Sequence, residues 1–340
     1  MTQRMTRSGE ERPLRRGLVF ATAELDPLGD LARQAEAAGF QRVWTTEYPH
    51  RDAVVRALAV ALRTETIEIG TGIAYAFARV PLAMAAMAAD VQRLSGGRFS
   101  LGLSPGTRGV RRWFGADFEP PAPALVAYAA ALRAAWSQNE DLAGPPPPVL
   151  GAALNPVMGR HVAAHLDGVL LHPLAIARRH LVERLLPAVA EGSSARAGRP
   201  PKVIAWCVTS IDHDEEVARA RARAQLAFYF STPSYRTVAA GTGWEHIPAE
   251  VQRGFKAVGG SWARLGELIP DSVVDELTVS GTPATAARRV RRLERELGDL
   301  GVTEIAFQTV GAEVGGAAFV ASCQQIIHSL APGATGEPDV

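Results

Sequence analysis

A chain of 340 residues, 47% hydrophobic and 21% charged, is long enough to bury a substantial core in one α/β domain. Its 36 Lys and Arg against 35 Asp and Glu leave a formal net charge of +1, which offers no field for nucleic acid or an anionic membrane and points to a small-molecule partner. The two cysteines, Cys207 and Cys323, lie far apart and outside any CxxC or Cys/His pattern, so no metal site is expected and both read as buried thiols in a reducing cytoplasm.

The opening residues 1–13 are polar and basic, with no apolar centre of a signal peptide, and 331–340 are rich in Gly and Pro; both are expected as mobile tails around one domain, 14–330. No apolar run reaches the roughly 18 residues that span a bilayer, so a cytoplasmic protein is expected. In chain order the first strand is predicted at Leu18–Thr22, followed by a helix over Leu28–Ala38 that stops at Gly39. Strand two follows at Arg42–Thr46 and strand three at Ile67–Ile73. Pro81 suits the first turn of a helix through Leu94, and Ser95-Gly96-Gly97 ends it before strand four at Phe99–Leu103. Pro145–Pro148 makes a stiff lead into strand five, Val149–Ala153; strands six and seven are Gly168–His172 and Lys202–Val208. Helical patterns at Asp214–Phe230, Tyr235–Gly241, Pro248–Phe255 and Trp262–Leu268 precede strand eight, Glu304–Gln308. Eight strands alternating with helices predict a (β/α)8 TIM barrel with a helical insertion between strands 7 and 8.

The segment IEIGTGIAYAFARVPLAMAAMAADVQRLSGGRFSLGLSPG, Ile67 to Gly106, resembles the core signature of the luciferase-like flavin and deazaflavin oxidoreductases. The resemblance continues in order through WFGADFEPPAP, GAALNPVMGRHVAAHLDGVLLHP, LAFYFSTPSYRTVAAGTGW and VSGTPATAARRVRRL, covering about Arg15 to Val310. FYFSTPSYR and the following insertion are most similar to the branch that uses coenzyme F420. The resemblance implies hydride transfer between the deazaflavin ring and a small organic substrate, and a homodimer through exposed barrel helices. The same superfamily also supports an FMN-dependent monooxygenase, and a degenerate barrel that binds a ligand without turnover is a third reading.

Barrel enzymes build their sites at the C-terminal ends of the strands. The resemblance implies a non-prolyl cis peptide at Gly72–Ile73 that buttresses the tricyclic ring, with Ala74 beside it; read alone, Gly70 and Gly72 would only end a strand. Pro105 and Gly106 after strand four belong to the same implied ring pocket. After strand five, Ala153, Leu154 and Asn155 lead into a helix whose N-terminus suits the phosphate-bearing tail, although Asn155 also serves as an N-cap. His172 matches a position lining that tail. After strand two, Glu47, Tyr48, His50 and Asp52 supply titratable groups; His50 is the chosen acid–base residue because an imidazole titrates near neutrality, with Glu47 orienting it or touching the ring. His50 in an exposed turn is the plain alternative. Arg111 and Arg112 read equally as ligand contacts or as an exposed loop, while Thr282-Pro283 reads as a helix start with solvated arginines behind it.

Two departures from the resembled pattern stand out. Ser104-Pro105-Gly106-Thr107 replaces a Gly-rich turn followed by Glu or Gln. Only SQNEDLAGPPPP stands where relatives have a longer segment with a hairpin before strand five, and this shortening is expected to reshape the barrel mouth.

Overall fold

The computed structural model describes residues 14–333 except Thr22, Ala23, Ala143, Gly259 and Glu313. The expected tails at 1–13 and 334–340 lie outside the described residues, as does the predicted strand end at Thr22. Ten strands are described: β1 (Arg15–Val19), β2 (Arg42–Thr45), β3 (Glu68–Thr71), β4 (Ala74–Tyr75), β5 (Phe99–Ser104), β6 (Val149–Ala153), β7 (Gly168–Leu171), β8 (Lys202–Ile211), β9 (Thr278–Gly281) and β10 (Glu304–Thr309). All pair in parallel. β1, β2, β3, β5, β6, β7, β8 and β10 form the ring, which closes where β10 pairs both β8 and β1.

Side-chain alternation splits the core into two layers. Leu18, Val43, Ile69, Leu101, Val169 and Ile305 face outward into the large core shared with the helices. Val19, Trp44, Leu150, Leu170, Ile204, Trp206 and Ala306 fill the lumen. Two large indoles fit there because β3 offers glycine opposite each: a Cβ on Gly70 would lie 2.3 Å from the Trp44 ring, and one on Gly72 2.0 Å from the Trp206 ring. Below them the lumen is closed by charge. Buried Arg42 lies 3.0 Å from Glu304, which also accepts a 2.9 Å hydrogen bond from Trp44 Nε1, and Arg15 meets Glu68 at 2.7 Å.

The predicted helix ends agree with the structure where glycine supplies the stop. Asp26–Ala37 ends before Gly39 at φ +86°, and Pro81–Leu94 before Gly96 and Gly97 at φ +63° and +88°. The insertion contains the helices Glu215–Phe230, Ile247–Val258, Trp262–Gly266 and Asp271–Leu277, but it is not helical throughout. Its last residues form β9, which pairs with Val208–Ile211 of β8 on the edge opposite β10. That partner lets β8 run three residues past the predicted end at Val208.

The shortened segment before strand five does not touch the mouth. It precedes β6, so it lies at the end of the barrel where the strands begin: Leu101 N–H donates to Pro148, and Pro146–Pro148 border a cavity with the strand-initial residues Arg42 and Lys202. In a parallel barrel every helix-to-strand connection sits at this end, opposite the catalytic face. No helix of the described residues is long and apolar enough to cross a membrane.

Candidate active site

At the C-terminal end of the lumen, β3 breaks after Thr71 and resumes as β4, and the Gly72–Ile73 peptide between them is cis. Gly72 N–H donates to Thr45, and Ile73 C=O accepts from Glu47 N–H, which ties this bulge to the loop after β2. Ile73 packs with the lumen cluster beside Trp206, whose side chain is 7% exposed. Trp206 Nε1 is buried with no hydrogen-bond partner, and Thr46 Oγ1, at the end of β2, is the same. An orphaned donor and an orphaned hydroxyl near the rim of an otherwise apolar lumen are costly unless a ligand meets them. A flat heterocycle with polar edges fits both.

Glu47 is 8% exposed, and its carboxylate is fully engaged. Arg79 grips both oxygens, at 2.7 and 3.2 Å, and Tyr75 N–H donates at 2.7 Å. Burial pushes the carboxyl above its ordinary value, partly offset by Arg79 and the Tyr75 amide. Arg79 also pairs with Asp52, which caps the helix Ala53–Ala61 through Val54 and Val55 N–H. Glu47 is thus a clamp between the loops after β2 and β4, and the expected pairing with His50 is not among its contacts. His50 is exposed, in the turn closed by Tyr48 and Arg51, and its ring meets that of Tyr48 edge to face with 5.4 Å between centroids. Partial burial, then Arg51 and Arg56, hold its pKa below the ordinary imidazole value.

An aromatic wall rises from this turn. Tyr48 meets Trp113 at 6.1 Å and Phe228 at 6.3 Å between ring centroids, and His172 stands between Tyr229 and Tyr235 at 4.8 and 4.5 Å. Gln308, at the end of β10, donates to the Tyr229 hydroxyl. His172 Nδ1 accepts from Leu174 N–H, and burial pushes the imidazole down to about 3, so it is neutral at neutral pH.

The remaining predicted residues divide by direction. Ala74 and Ala153 have side chains in the outer core, not the lumen; Ala153 and Leu154 offer carbonyls, already used by His172 N–H and the His180 ring. Asn155 caps the helix Pro156–His165 by accepting from Met158 N–H at 3.0 Å. Pro105 and Gly106 form the turn after β5, and their carbonyls accept from Arg111. Arg111 is buried and also paired with Glu119, so it braces this turn and is not an exposed loop residue; Arg112 is exposed. Thr282 caps its helix as expected, with Arg289 alone of the first arginines drawn onto Asp275. Cys207 and Cys323 are free and buried.

Sequence reasoning passed over Trp206, Phe228, Tyr229, Tyr235 and Gln308, and it placed Thr46 at the end of strand two without a role. The signal for Trp206 was its place in strand seven on the same face as Ile204, where period-two alternation aims it into the lumen. Phe228, Tyr229 and Tyr235 stood within the resembled segment but carried no role.

Residues 5–300 match the sequence model of a family described as luciferase-like monooxygenase. The chain belongs to this luciferase-like family. It is 34% identical over 298 residues, 77% of this chain and 86% of the relative, to an uncharacterized protein of Mycobacterium tuberculosis. Over 297 residues, 81% of this chain and 87% of the relative, it is 30% identical to 5,10-methylenetetrahydromethanopterin reductase of Methanolobus tindarius. Among solved structures, the coenzyme F420-dependent tetrahydromethanopterin reductase of Methanopyrus kandleri superposes with a TM-score of 0.72 at 19% identity, covering 93% of this chain and 98% of that one. The oxygenating constituent of 3,6-diketocamphane monooxygenase from Pseudomonas putida, in complex with FMN, superposes at 0.61 and 15% identity, covering 94% and 99%. These superpositions show a luciferase-like TIM barrel. Family members include F420-dependent enzymes and flavin monooxygenases, so a flavin-type cofactor fits this luciferase-like barrel.

Proposed function

We propose that this luciferase-like protein is an F420-dependent oxidoreductase acting on a small organic substrate. The observation that carries the reading is the buried, unpartnered Trp206 Nε1–H beside the Gly72–Ile73 bulge, with Thr46 Oγ1 as a second open polar atom at the rim. The choice of deazaflavin is supported by the 30% identity to a methylenetetrahydromethanopterin reductase. When bound, the deazaflavin would supply the hydride donor or acceptor.

In this reading Ile73 and Trp206 would hold the ring, with Trp206 Nε1 and Thr46 Oγ1 available to its polar groups. Asn155 and the start of the helix Pro156–His165 take the anionic tail, where oriented N–H groups favour negative charge. His172 stays neutral and lines that path without attracting a competing anion. Glu47 and Arg79 keep the loops after β2 and β4 in fixed relation, which preorganises the seat. His50, with a pKa below the ordinary value, is unprotonated at neutral pH and takes a proton on an imidazole nitrogen. The aromatic wall excludes water from the transfer.

Absorbance and fluorescence titration of the full chain with F420 and with FMN tests the reading. The expected result is saturable F420 binding, with FMN about ten-fold weaker or more. Binding of FMN but not F420 would replace the reading with the FMN monooxygenase, and binding of neither with the non-catalytic barrel.

A further inference from the structure

We propose that the opposite end of the barrel carries a second ligand site, for a small organic anion with an apolar body. A cavity of ≈ 450 Å³ opens there, within the size range of small-molecule sites. Its lining brings together five cations, Arg42, Arg133, Arg196, Arg199 and Lys202, against the single carboxylate of Asp167. That carboxylate is already used: it accepts from Val149 N–H at 2.9 Å and meets Arg133 at 3.2 Å and Arg196 at 3.6 Å. Among the described residues Arg199 and Lys202 have no ion-pair partner, and both are exposed.

Buried Arg42 and half-buried Arg196 are also incompletely satisfied. Arg42 is 2% exposed; its Nη2 donates to Glu68 and its Nη1 lies against Glu304, yet its Nε–H is buried without an acceptor. Arg196 donates through Nη1 to the Leu166 carbonyl, and its Nε–H is likewise buried and unpartnered. Orphaned guanidinium donors cost more than ordinary ones, because the group stays charged. The remaining wall is apolar and flat, made by Trp136, Leu150 and Pro146–Pro148. Cations together with an indole and three prolines in one lining suit a phosphate or carboxylate attached to a planar or aliphatic body. The site is distinct from the barrel mouth because its strand residues are the first or second of their strands, so it does not depend on the proposed redox chemistry.

The test uses calorimetric titration of the full chain with phenyl phosphate and, separately, inorganic phosphate. Phenyl phosphate is expected to bind saturably, and inorganic phosphate about ten-fold more weakly for want of the apolar contact. Arg199→Ala with Lys202→Ala should weaken phenyl phosphate about ten-fold or more, whereas Arg295→Ala, a distant exposed cation, should not. Both altered side chains are exposed, and unchanged thermal midpoints without ligand verify that the fold is kept. No saturable binding, equal affinity for the two probes, or binding indifferent to the double substitution would each overturn the site. F420 affinity is measured alongside and is expected to be unchanged.

Discussion

His50 and Glu47 lie three residues apart and have opposite situations. Glu47 is buried and held by three hydrogen bonds, so a proton could leave or reach it only by breaking the clamp with Arg79. His50 is exposed and its ring rests edge to face with that of Tyr48. Among this pair only the imidazole can exchange protons with a ligand at the mouth without disturbing the loops. His50→Ala is expected to lower the single-turnover hydride-transfer rate by ~100-fold and remove the limb of its pH profile on the acid side of the ordinary imidazole value, with cofactor affinity intact. An unchanged rate and pH profile would return the proton to another group. His50 was visible in the sequence as a residue type at a strand end. That Glu47 would be spent on Arg79 was not, since the partner lies 32 positions away and is brought over only by the pairing of β2 with β3.

At the scale of elements, the strand–helix alternation was legible because period-two runs and glycine stops are local. β9 and the last residues of β8 were not, because they pair only with each other along that edge, Val208–Ile211 against Thr278–Gly281, a contact across some seventy residues that no local pattern announces. The turn after β5 shows the same limit. Gly106, expected in the implied ring pocket, has φ +61°, and a Cβ there would lie 2.8 Å from Phe77 and 3.3 Å from Tyr75. Those rings stack on one another at 5.2 Å and against Phe114, so the glycine belongs to a packed aromatic cluster. Gly106→Val should therefore destabilise the protein by about 1–3 kcal/mol. A denaturant melt with an unchanged midpoint would show that the cluster can yield.

At the scale of the whole molecule, an apolar lumen closed at one end by ion pairs carries the unpartnered Trp206 Nε1 towards the other, and the buried polar groups around that end have a signature in stability. His172 has a folded pKa of about 3 against an ordinary 6.5. Native protein therefore keeps the imidazole neutral while the unfolded chain protonates it. Its contribution is fully present above about pH 6.5 and is lost as pH falls toward about 3. Glu47 and Glu304, raised by burial, act in the other direction, so the comparison must be between wild type and His172→Asn. The variant is expected to lose less stability than wild type on acidification in thermal melts; equal slopes would mean that His172 is protonated in the native state. The most direct measurement is the F420 affinity of Trp206→Phe, which keeps the lumen filled but removes the buried N–H. Affinity about ten-fold weaker than wild type, with an unchanged melting midpoint, is the expected result. Equal affinity in the two proteins would contradict a ring seated on Trp206.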